Sequence, residues 1–207
     1  MRIGLYGGSF DPVHHGHLIV AECCREQAAL DRVLFVPAAI PPHKQGSPLA
    51  DAGHRVEMLK LATGGHPGFA ISTDEIDHGG VSYTVDTLAR LKHQHPDDTL
   101  LLILGPDALA DLPTWREPKT IIDRAEIIAV EREGVDDVRA IATQPWLADI
   151  LGPKRLERLV ASRVVCPAIG IRASDLRAAS EAGRSIRYRT PRAVEQYIAA
   201  QGLYRRP

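Results

Sequence analysis

Near the start of the chain runs the segment Gly7-Gly8-Ser9-Phe10-Asp11-Pro12-Val13-His14-His15-Gly16-His17. An apolar run at residues 3–6 precedes it, and an amphipathic pattern begins at residues 18–21. This order predicts a strand, a glycine turn and a helix. Such an arrangement directs backbone N–H groups and the positive end of the helix dipole at a bound anion. The adjacent glycines would let a phosphate approach the backbone without meeting a Cβ atom.

Two histidines of this segment are spaced to act together. His14 and His17 are three residues apart, so on the first turn of a helix they would point the same way. An apolar stripe continues from His17 and predicts the face that meets the sheet: Val20, Ala21, Cys24 and Ala28. An isolated pair of this kind is commonly a cap or a surface feature. The strand, the double glycine and the Asp-Pro turn together favour a phosphate site.

The segment resembles the signature of the HxGH nucleotidylyltransferase superfamily, in which His14, Gly16 and His17 match the motif. Within it, the chain is similar to the nicotinate-nucleotide adenylyltransferase family nearly from end to end. The resemblance implies an enzyme that joins nicotinate mononucleotide and ATP to give nicotinate adenine dinucleotide (deamido-NAD) and pyrophosphate in NAD biosynthesis. It implies that His14 and His17 donate hydrogen bonds to phosphate oxygens during catalysis.

Length and composition limit the class of protein. The 207 residues suit one domain, residues 1–207, able to bury about two-thirds of its unfolded surface. The net charge of −1 predicts no general attraction to nucleic acid or to an anionic membrane. No apolar run reaches the roughly 18–20 residues of a membrane span, and no signal peptide is recognised, so we expect a cytoplasmic protein. Its three cysteines form no C-x-x-C pair and are expected to be reduced thiols.

Apolar runs and helical patterns alternate along the rest of the chain. Further strands are predicted at residues 33–36, 69–72, 99–104, 127–130 and 163–166. Helices are predicted at residues 54–63, 84–91, 121–125 and 135–151, and near the C-terminus. In the first of these, Val56 and Leu59 face inward and Arg55 is interpreted as an exposed charge. The alternation predicts an α/β fold, a doubly wound, mostly parallel Rossmann-like sheet with helices on both faces and a short C-terminal helical segment.

The resemblance also names residues that bind ATP. They are Gly7, Gly8, Ser9, Phe10, His14, His17, Gly105, Asp107, Arg132, Ser174 and Arg177. From the residues alone, Asp107 follows a strand and would suit ribose hydroxyls, or equally cap a helix. Arg132, considered alone, would be an ordinary surface charge. Residues 41–44, Pro-Pro-His-Lys, match a family element close to the phosphates, which makes Lys44 a third catalytic candidate.

Two elements resemble the mononucleotide site of the family. Residues 82–88 read Ser-Tyr-Thr-Val-Asp-Thr-Leu, and the family receives the nicotinate carboxylate on backbone amides of this turn, here Ser82, Tyr83 and Thr84. The sequence alone favours Thr84 as a plain N-cap, although helix-start N–H groups suit a carboxylate as they suit a phosphate. The family stacks a Trp at the position of Trp115 against the pyridine ring, which adds about 0.5–1.5 kcal/mol beyond burial. Trp146 is expected in the core.

The C-terminal part resembles the family at a second phosphate clamp. Residues 171–177 lie where the family has I-S-S-T-x-I-R. Ser174 and Arg177 preserve a hydroxyl at a helix start and an arginine three residues later. Arg172 and Ala173 replace the two usual serines. Arg172 would supply a charged fork instead of hydroxyl donors, or turnover would be reduced.

The expected chemistry needs alignment and charge neutralisation rather than a covalent intermediate. A phosphate oxygen of the mononucleotide attacks the α-phosphorus of ATP in line, and pyrophosphate leaves. Mg²⁺ would arrive with ATP and be held through phosphates and water, so no metal ligands are assigned to the chain. ATP and nicotinate mononucleotide are the expected partners. The sequence leaves a homo-oligomer and the strictness of the choice between acid and amide open.

Three alternatives stay open at this point. One is another HxGH adenylyltransferase, for nicotinamide mononucleotide or phosphopantetheine; residues 82–88 and Trp115 argue against phosphopantetheine. Another is a metal-dependent hydrolase, with a ligand set of Asp11, His14, His17 and His43. The third is a nucleotide-binding protein without turnover, suggested by the changed residues 172–173.

Overall fold

The computed structural model describes residues 1–42, 49–134 and 137–205, which form a six-stranded sheet with helices on both faces. The strands are β1 (Arg2–Gly8), β2 (Arg32–Pro37), β3 (Phe69–Ile71), β4 (Thr99–Leu104), β5 (Glu126–Arg132) and β6 (Val164–Cys166). The first helices are α1 (His15–Gln27), α2 (Ala52–Thr63), α3 (Asp74–His78), α4 (Thr84–Gln94), α5 (Pro106–Asp111) and α6 (Pro118–Arg124). They are followed by α7 (Val138–Ala142), α8 (Pro145–Leu151), α9 (Pro153–Ala161), α10 (Ala173–Glu181) and α11 (Arg192–Ala200). A 3₁₀ turn spans Leu112–Thr114.

The strands lie in the order β3-β2-β1-β4-β5-β6, and each runs parallel to its neighbours. The chain therefore builds outward from β1 to β3, crosses to β4 beside β1, and continues outward to β6. In open α/β sheets, ligands bind outside the carboxyl ends of the strands where the order reverses, here between β1 and β4. The predicted doubly wound fold and its strands are confirmed.

Alternate residues of the central strands face different helix layers. In β4, Leu101 and Ile103 join an apolar cluster with α1, α2, α10 and α11, whereas Leu102 joins a second cluster with helices α4 to α9. Because side chains alternate along a strand and both faces are covered, an uninterrupted apolar run suits this position. Gly4 of β1 is needed for close packing, since a Cβ there would lie 2.5 Å from Leu30 Cδ1.

Three local expectations are wrong. Residues 137–151 form two helices rather than one, because Pro145 disfavours helical backbone at Gln144, whose ψ is 124°. Arg55 is buried, with 1% of its surface exposed. It lies four residues before Leu59 and so shares the buried face of α2. Thr84 is the first residue of α4 and not its cap, which is Tyr83.

The remaining general expectations concern the thiols and membrane helices. All three cysteines are free thiols, as expected, and burial raises the pKa of Cys166 to about 12. Trp146 packs, partly buried, against the second apolar cluster. None of the helices formed by the described residues has the length and apolar character needed to span a bilayer.

Candidate active site at the carboxyl edge of the sheet

β1 runs on through Gly7 and Gly8, which pair with Val36 and Pro37, so the expected turn begins only after Gly8. Residues 7–12, called the glycine turn from here on, have an accessible backbone on one side. A Cβ at Gly7 would meet no atom of the described chain within 4 Å, whereas one at Gly8 would lie 3.1 Å from Phe10 Cζ. Phe10 has a positive φ of 47° and packs its buried ring edge-on against Phe35 and His17. Phe10 is only 2% exposed, so its ring is closed off from a ligand, and its contact with ATP stays a prediction. Gly7 leaves the open approach that a phosphate needs.

The two histidines lie together at the start of α1, although His14 is the N-cap residue with extended backbone and only His17 is on the first helical turn. The backbone N–H of His14 donates to His17 Nδ1 at 3.2 Å, and the rings stack with centroids 3.7 Å apart. A ring nitrogen that accepts a hydrogen bond carries no proton, so the proton of His17 lies on Nε2, where it can be donated. Burial, with a smaller contribution from the charge of His15, lowers the pKa of His14 to about 4. His14 is therefore an uncharged imidazole at neutral pH.

Gly16 makes this stacking possible. A Cβ at that position would lie 3.0 Å from His14 Nδ1 and 3.1 Å from His14 Cε1. Carbon atoms pack at about 3.5–4.0 Å, so any side chain here would displace the His14 ring. The glycine of the motif thus serves the geometry of the first histidine.

The buried side chain of Asp11 anchors the loop between the glycine turn and the histidines to the protein interior. Its side chain is 1% exposed, and Oδ1 accepts hydrogen bonds from the Tyr204 hydroxyl at 2.6 Å and from the Ala50 N–H at 3.3 Å. Its Oδ2 has no hydrogen-bond partner among residues 1–42, 49–134 and 137–205, although Arg177 Nη1 lies 3.8 Å away. Burial and then the charge of Asp11 raise the pKa of Tyr204, so its hydroxyl stays a donor.

The C-terminal part of the chain makes three further bonds to this loop. They run from Arg177 Nη1 to Asp11 O at 2.7 Å, from Thr190 Oγ1 to Val13 O at 2.8 Å, and from His15 N to Arg189 O at 3.1 Å. Arg177 is therefore beside the histidine loop, where the resemblance implies a phosphate clamp. Ser174 is exposed, and its hydroxyl lies 3.4 Å from the carboxylate of its neighbour Asp175. Arg172 is exposed and caps α10.

Arg55 and Tyr204 are the residues of this region that the sequence interpretation missed. The Arg55 guanidinium binds four backbone carbonyls around the glycine turn: Ser9, Ala38, Ala39 and Ala50. The position of Arg55 in the apolar stripe of α2 could have indicated its burial. An arginine in such a stripe means either that the predicted stripe is in the wrong register or that the arginine is buried with hydrogen-bond partners. No comparable signal marks Tyr204, which follows the last helix.

β4 and β5 bring further predicted residues to the same edge of the sheet. Gly105 caps α5, and Asp107 is exposed in the first turn of that helix rather than at its cap. Arg132 is the last residue of β5 and is partly buried. Because β1, β4 and β5 are adjacent and parallel, these three residues lie on the side of the sheet that carries the glycine turn. Lys44 and His43 lie outside the described residues.

The turn before α4 is fastened to the loop after β2. Ser82 Oγ accepts from the Ala39 N–H at 2.9 Å, and the Ser82 N–H donates to Ile40 O at 2.9 Å. The first N–H groups of a helix have no partner within it, so the start of α4 at Thr84 offers donors to a carboxylate. The expected location of the mononucleotide site is thus tied to the strand next to β1.

Trp115 lies in the segment that packs beside this turn. The guanidinium of the adjacent Arg116 lies 5.0 Å from the centre of the Tyr83 ring, and its Nη1 lies 3.3 Å from Asp86 Oδ2. Trp115 and Tyr83, both partly buried, pack against the same apolar cluster. A cavity of about 250 Å³ borders Tyr83 and Arg116, and none of its lining residues belongs to the glycine turn or the histidine pair. The two elements expected to bind the mononucleotide are therefore neighbours.

Comparison with known proteins gives consistent matches over the whole chain. Residues 5–179 match the family model described as cytidylyltransferase-like. A probable nicotinate-nucleotide adenylyltransferase of Thermomicrobium roseum is 45% identical, over 99% of this chain and 92% of the relative. One of a Roseiflexus species is 46% identical, over 98% of each chain. The structure of Plasmodium falciparum nicotinic acid mononucleotide adenylyltransferase complexed with NaAD has a TM-score of 0.74 at 20% identity, over 98% of this chain and 97% of that one.

Proposed function

This chain belongs to the cytidylyltransferase-like family and, within it, to the nicotinate-nucleotide adenylyltransferases, and we propose that it joins nicotinate mononucleotide to ATP. The products are nicotinate adenine dinucleotide and pyrophosphate, so the chain is a nucleotidyltransferase of NAD biosynthesis. The single observation that carries the assignment is the 45% identity to a probable nicotinate-nucleotide adenylyltransferase over 99% of this chain. The stacked histidines at the switch point supply the chemistry that this reaction needs.

The proposed mechanism relies on alignment and on neutralisation of phosphate charge. ATP lies over the glycine turn with its phosphates at the start of α1, where the positive end of the helix dipole favours an anion. His17 donates from Nε2–H to a phosphate oxygen as negative charge develops, and His14 donates from the neighbouring ring. Lys44, Arg132 and Arg177 offset the remaining charge. Asp107 and Gly105, at the neighbouring strand end, accept the ribose of ATP.

The mononucleotide is placed on the other side of the switch point. Its carboxylate binds in the turn at Ser82, Tyr83 and Thr84, on the backbone N–H groups of Tyr83 and Thr84, because the Ser82 N–H already donates to Ile40 O. Its ring stacks on Trp115. An oxygen anion gains more from these donors than a carboxamide does, because the amide presents N–H groups of its own. This supports a preference for the acid over the amide.

Mg²⁺ enters with ATP as part of the substrate. In the described parts of the chain, no cluster of three or more His, Cys, Asp or Glu side chains able to hold a metal occurs. Mg²⁺ brought by ATP would be held by phosphate oxygens and water, as it commonly is. The location that we propose is the cytoplasm, and it fits three cysteines that stay free thiols.

Pyrophosphate release tests the proposal directly. The purified protein is given Mg²⁺ and ATP with either nicotinate mononucleotide or nicotinamide mononucleotide, and we expect faster release with the acid. His17→Ala should lower kcat by at least about 10²-fold, the usual loss when one transition-state donor is removed, without unfolding the chain. Release from neither mononucleotide would contradict the proposed function, and a near-normal kcat in the variant would remove His17 from the mechanism.

A further inference from the structure

Arg55 is a buried cation that the proposed mechanism does not use. It is 1% exposed, although it lies on the helix face that also buries Leu59. Burial lowers the pKa of its guanidinium, and the charge of Asp11 partly opposes that shift. A buried charge is costly unless it is fully hydrogen-bonded, and an apolar side chain at such a position often gives an equally stable protein. Stability alone therefore does not explain a guanidinium here.

The four carbonyls that Arg55 binds belong to three separate backbone segments. Nη1 donates to Ser9 O in the glycine turn at 3.0 Å and to Ala38 O at 2.7 Å. Nη2 donates to Ala39 O at 3.4 Å, and Nε donates to Ala50 O at 3.0 Å. Residues 38–39 and 50 are the two ends of the connection between β2 and α2.

The neighbouring hydrogen bonds extend from the same anchor points. The Ala50 N–H donates to Asp11 Oδ1, so both polar backbone groups of Ala50 are held by the buried pair Asp11 and Arg55. The Ala39 N–H donates to Ser82 Oγ in the turn before α4. A single guanidinium thus links the end of β1, the end of β2 and the start of α2, and through Ala39 the turn at Ser82.

We propose that Arg55 is a positioning residue for adenylyl transfer, which fixes the glycine turn at Ser9 relative to both ends of the connection over residues 38–50. This inference rests on the proposed function. The planar fork of arginine suits the role because its nitrogens donate in fixed, divergent directions. The ammonium of a lysine is a single point and cannot reach carbonyls on three segments at once.

The test compares Arg55→Lys with Arg25→Lys. Arg25 is also a helical arginine with a charge-assisted bond, here to the carboxylate of Glu22 at 2.6 Å, but it is partly exposed near the far end of α1, away from the glycine turn. Steady-state pyrophosphate release is measured for both at a temperature well below their Tm. In R55K we expect kcat to fall about 10- to 100-fold, as for the loss of one or two charge-assisted hydrogen bonds. R25K should keep kcat and both KM values within about twofold, in the range of ordinary surface changes.

A second variant keeps the inference testable if R55K does not fold. Arg55→Gln keeps N–H donors and removes the charge whose burial is costly, and we expect its kcat to fall as that of R55K does. A folded R55K or R55Q with the kcat and KM values of R25K would overturn the inference, and so would failure of both variants to fold. If the wild type itself released no pyrophosphate, the proposed function would fail. ATP binding measured by calorimetry would then test whether Arg55 positions the glycine turn. We expect weaker ATP binding by R55K than by the wild type, and unchanged binding would contradict the inference.

Discussion

Replacement of Gly16 by alanine should disturb the geometry of the histidine pair while leaving the stability of the protein nearly unchanged. The new Cβ would lie 3.0 Å from His14 Nδ1 and 3.7 Å from Ile169 Cγ2. Since such atoms pack at about 3.5–4.0 Å, the His14 ring must move by about 0.5–1 Å. That ring is stacked on His17 at 3.7 Å, so the displacement disturbs both histidines.

The substitution should change the stability of the protein little and its activity strongly. Alanine within a helix is favoured over glycine by about 0.5–1 kcal/mol, which offsets part of the cost of moving the ring. The free energy of unfolding should therefore change by no more than about 1 kcal/mol. A misplacement of about 1 Å at a reacting group can cost about 10²-fold in rate, so we expect kcat to fall about 10- to 100-fold.

The assay is pyrophosphate release from ATP and nicotinate mononucleotide, with the Tm measured on the same preparations. Gly53→Ala is the matched control, because Gly53 is likewise the second residue of its helix and a Cβ there meets only the Asp51 carboxylate, at 3.1 Å. It should keep the wild-type kcat. A Gly16→Ala protein that turns over within twofold of the control would refute the argument, as would a loss of activity that merely follows unfolding.

Three further predictions concern pH, the C-terminal anchor and the mononucleotide site. Burial lowers the pKa of His14 from the ordinary 6.5 of an exposed histidine to about 4 in the folded state, so the unfolded state binds more protons between these pH values. Its share of the stability is complete above pH 6.5 and falls as the pH drops towards 4, by up to about 1.4 kcal/mol per pH unit; urea unfolding of His14→Asn should show a shallower pH dependence. Tyr204→Phe removes a hydrogen bond to the buried Asp11 carboxylate and should lower the free energy of unfolding by about 1.5–3 kcal/mol, whereas Tyr188→Phe, at an exposed tyrosine, should change it by less than about 0.5 kcal/mol. Trp115→Ala should raise the KM for the mononucleotide about 2- to 10-fold with little change in kcat, and an unchanged KM would show that the ring does not stack there.

The sequence predicted the features that depend on local pattern. The apolar run at β4 and the glycine turn before α1 place the strands and the switch point correctly, since strand periodicity and turn chemistry are encoded by neighbouring residues. His14 and His17 meet as expected but for another reason: His14 is the extended N-cap residue of α1 and His17 is the third helical residue, so they pair as in a capping box and not as two residues of one helical turn. The roles of the candidate site residues in binding ATP and the mononucleotide remain predictions.

The features that the sequence interpretation missed depend on contacts between distant segments. Tyr204 meets Asp11 across 193 positions of the chain, and Arg55 meets Ser9 across 46. The Tyr204 contact leaves no local pattern, and the position of Arg55 in the apolar stripe of α2 indicates burial but not its partners, because these are decided by how the elements pack. Arg55 was interpreted as exposed since a charge is rarely buried without partners, and its partners are backbone carbonyls that no motif displays.

These distant contacts share one electrostatic consequence. The carbonyls of Gly8, Ser9, Asp11 and Val13 each accept a hydrogen bond from a donor outside the segment of residues 7–17. The carboxylate of Asp11 is likewise bonded inward, to Tyr204. The negative ends of these four dipoles are thus engaged by the protein, while the start of α1 presents the positive end of its helix dipole and two imidazoles. The triphosphate site that we propose within residues 7–17 therefore depends on donors from residues far apart in the chain, because they turn these carbonyl oxygens away from the anion.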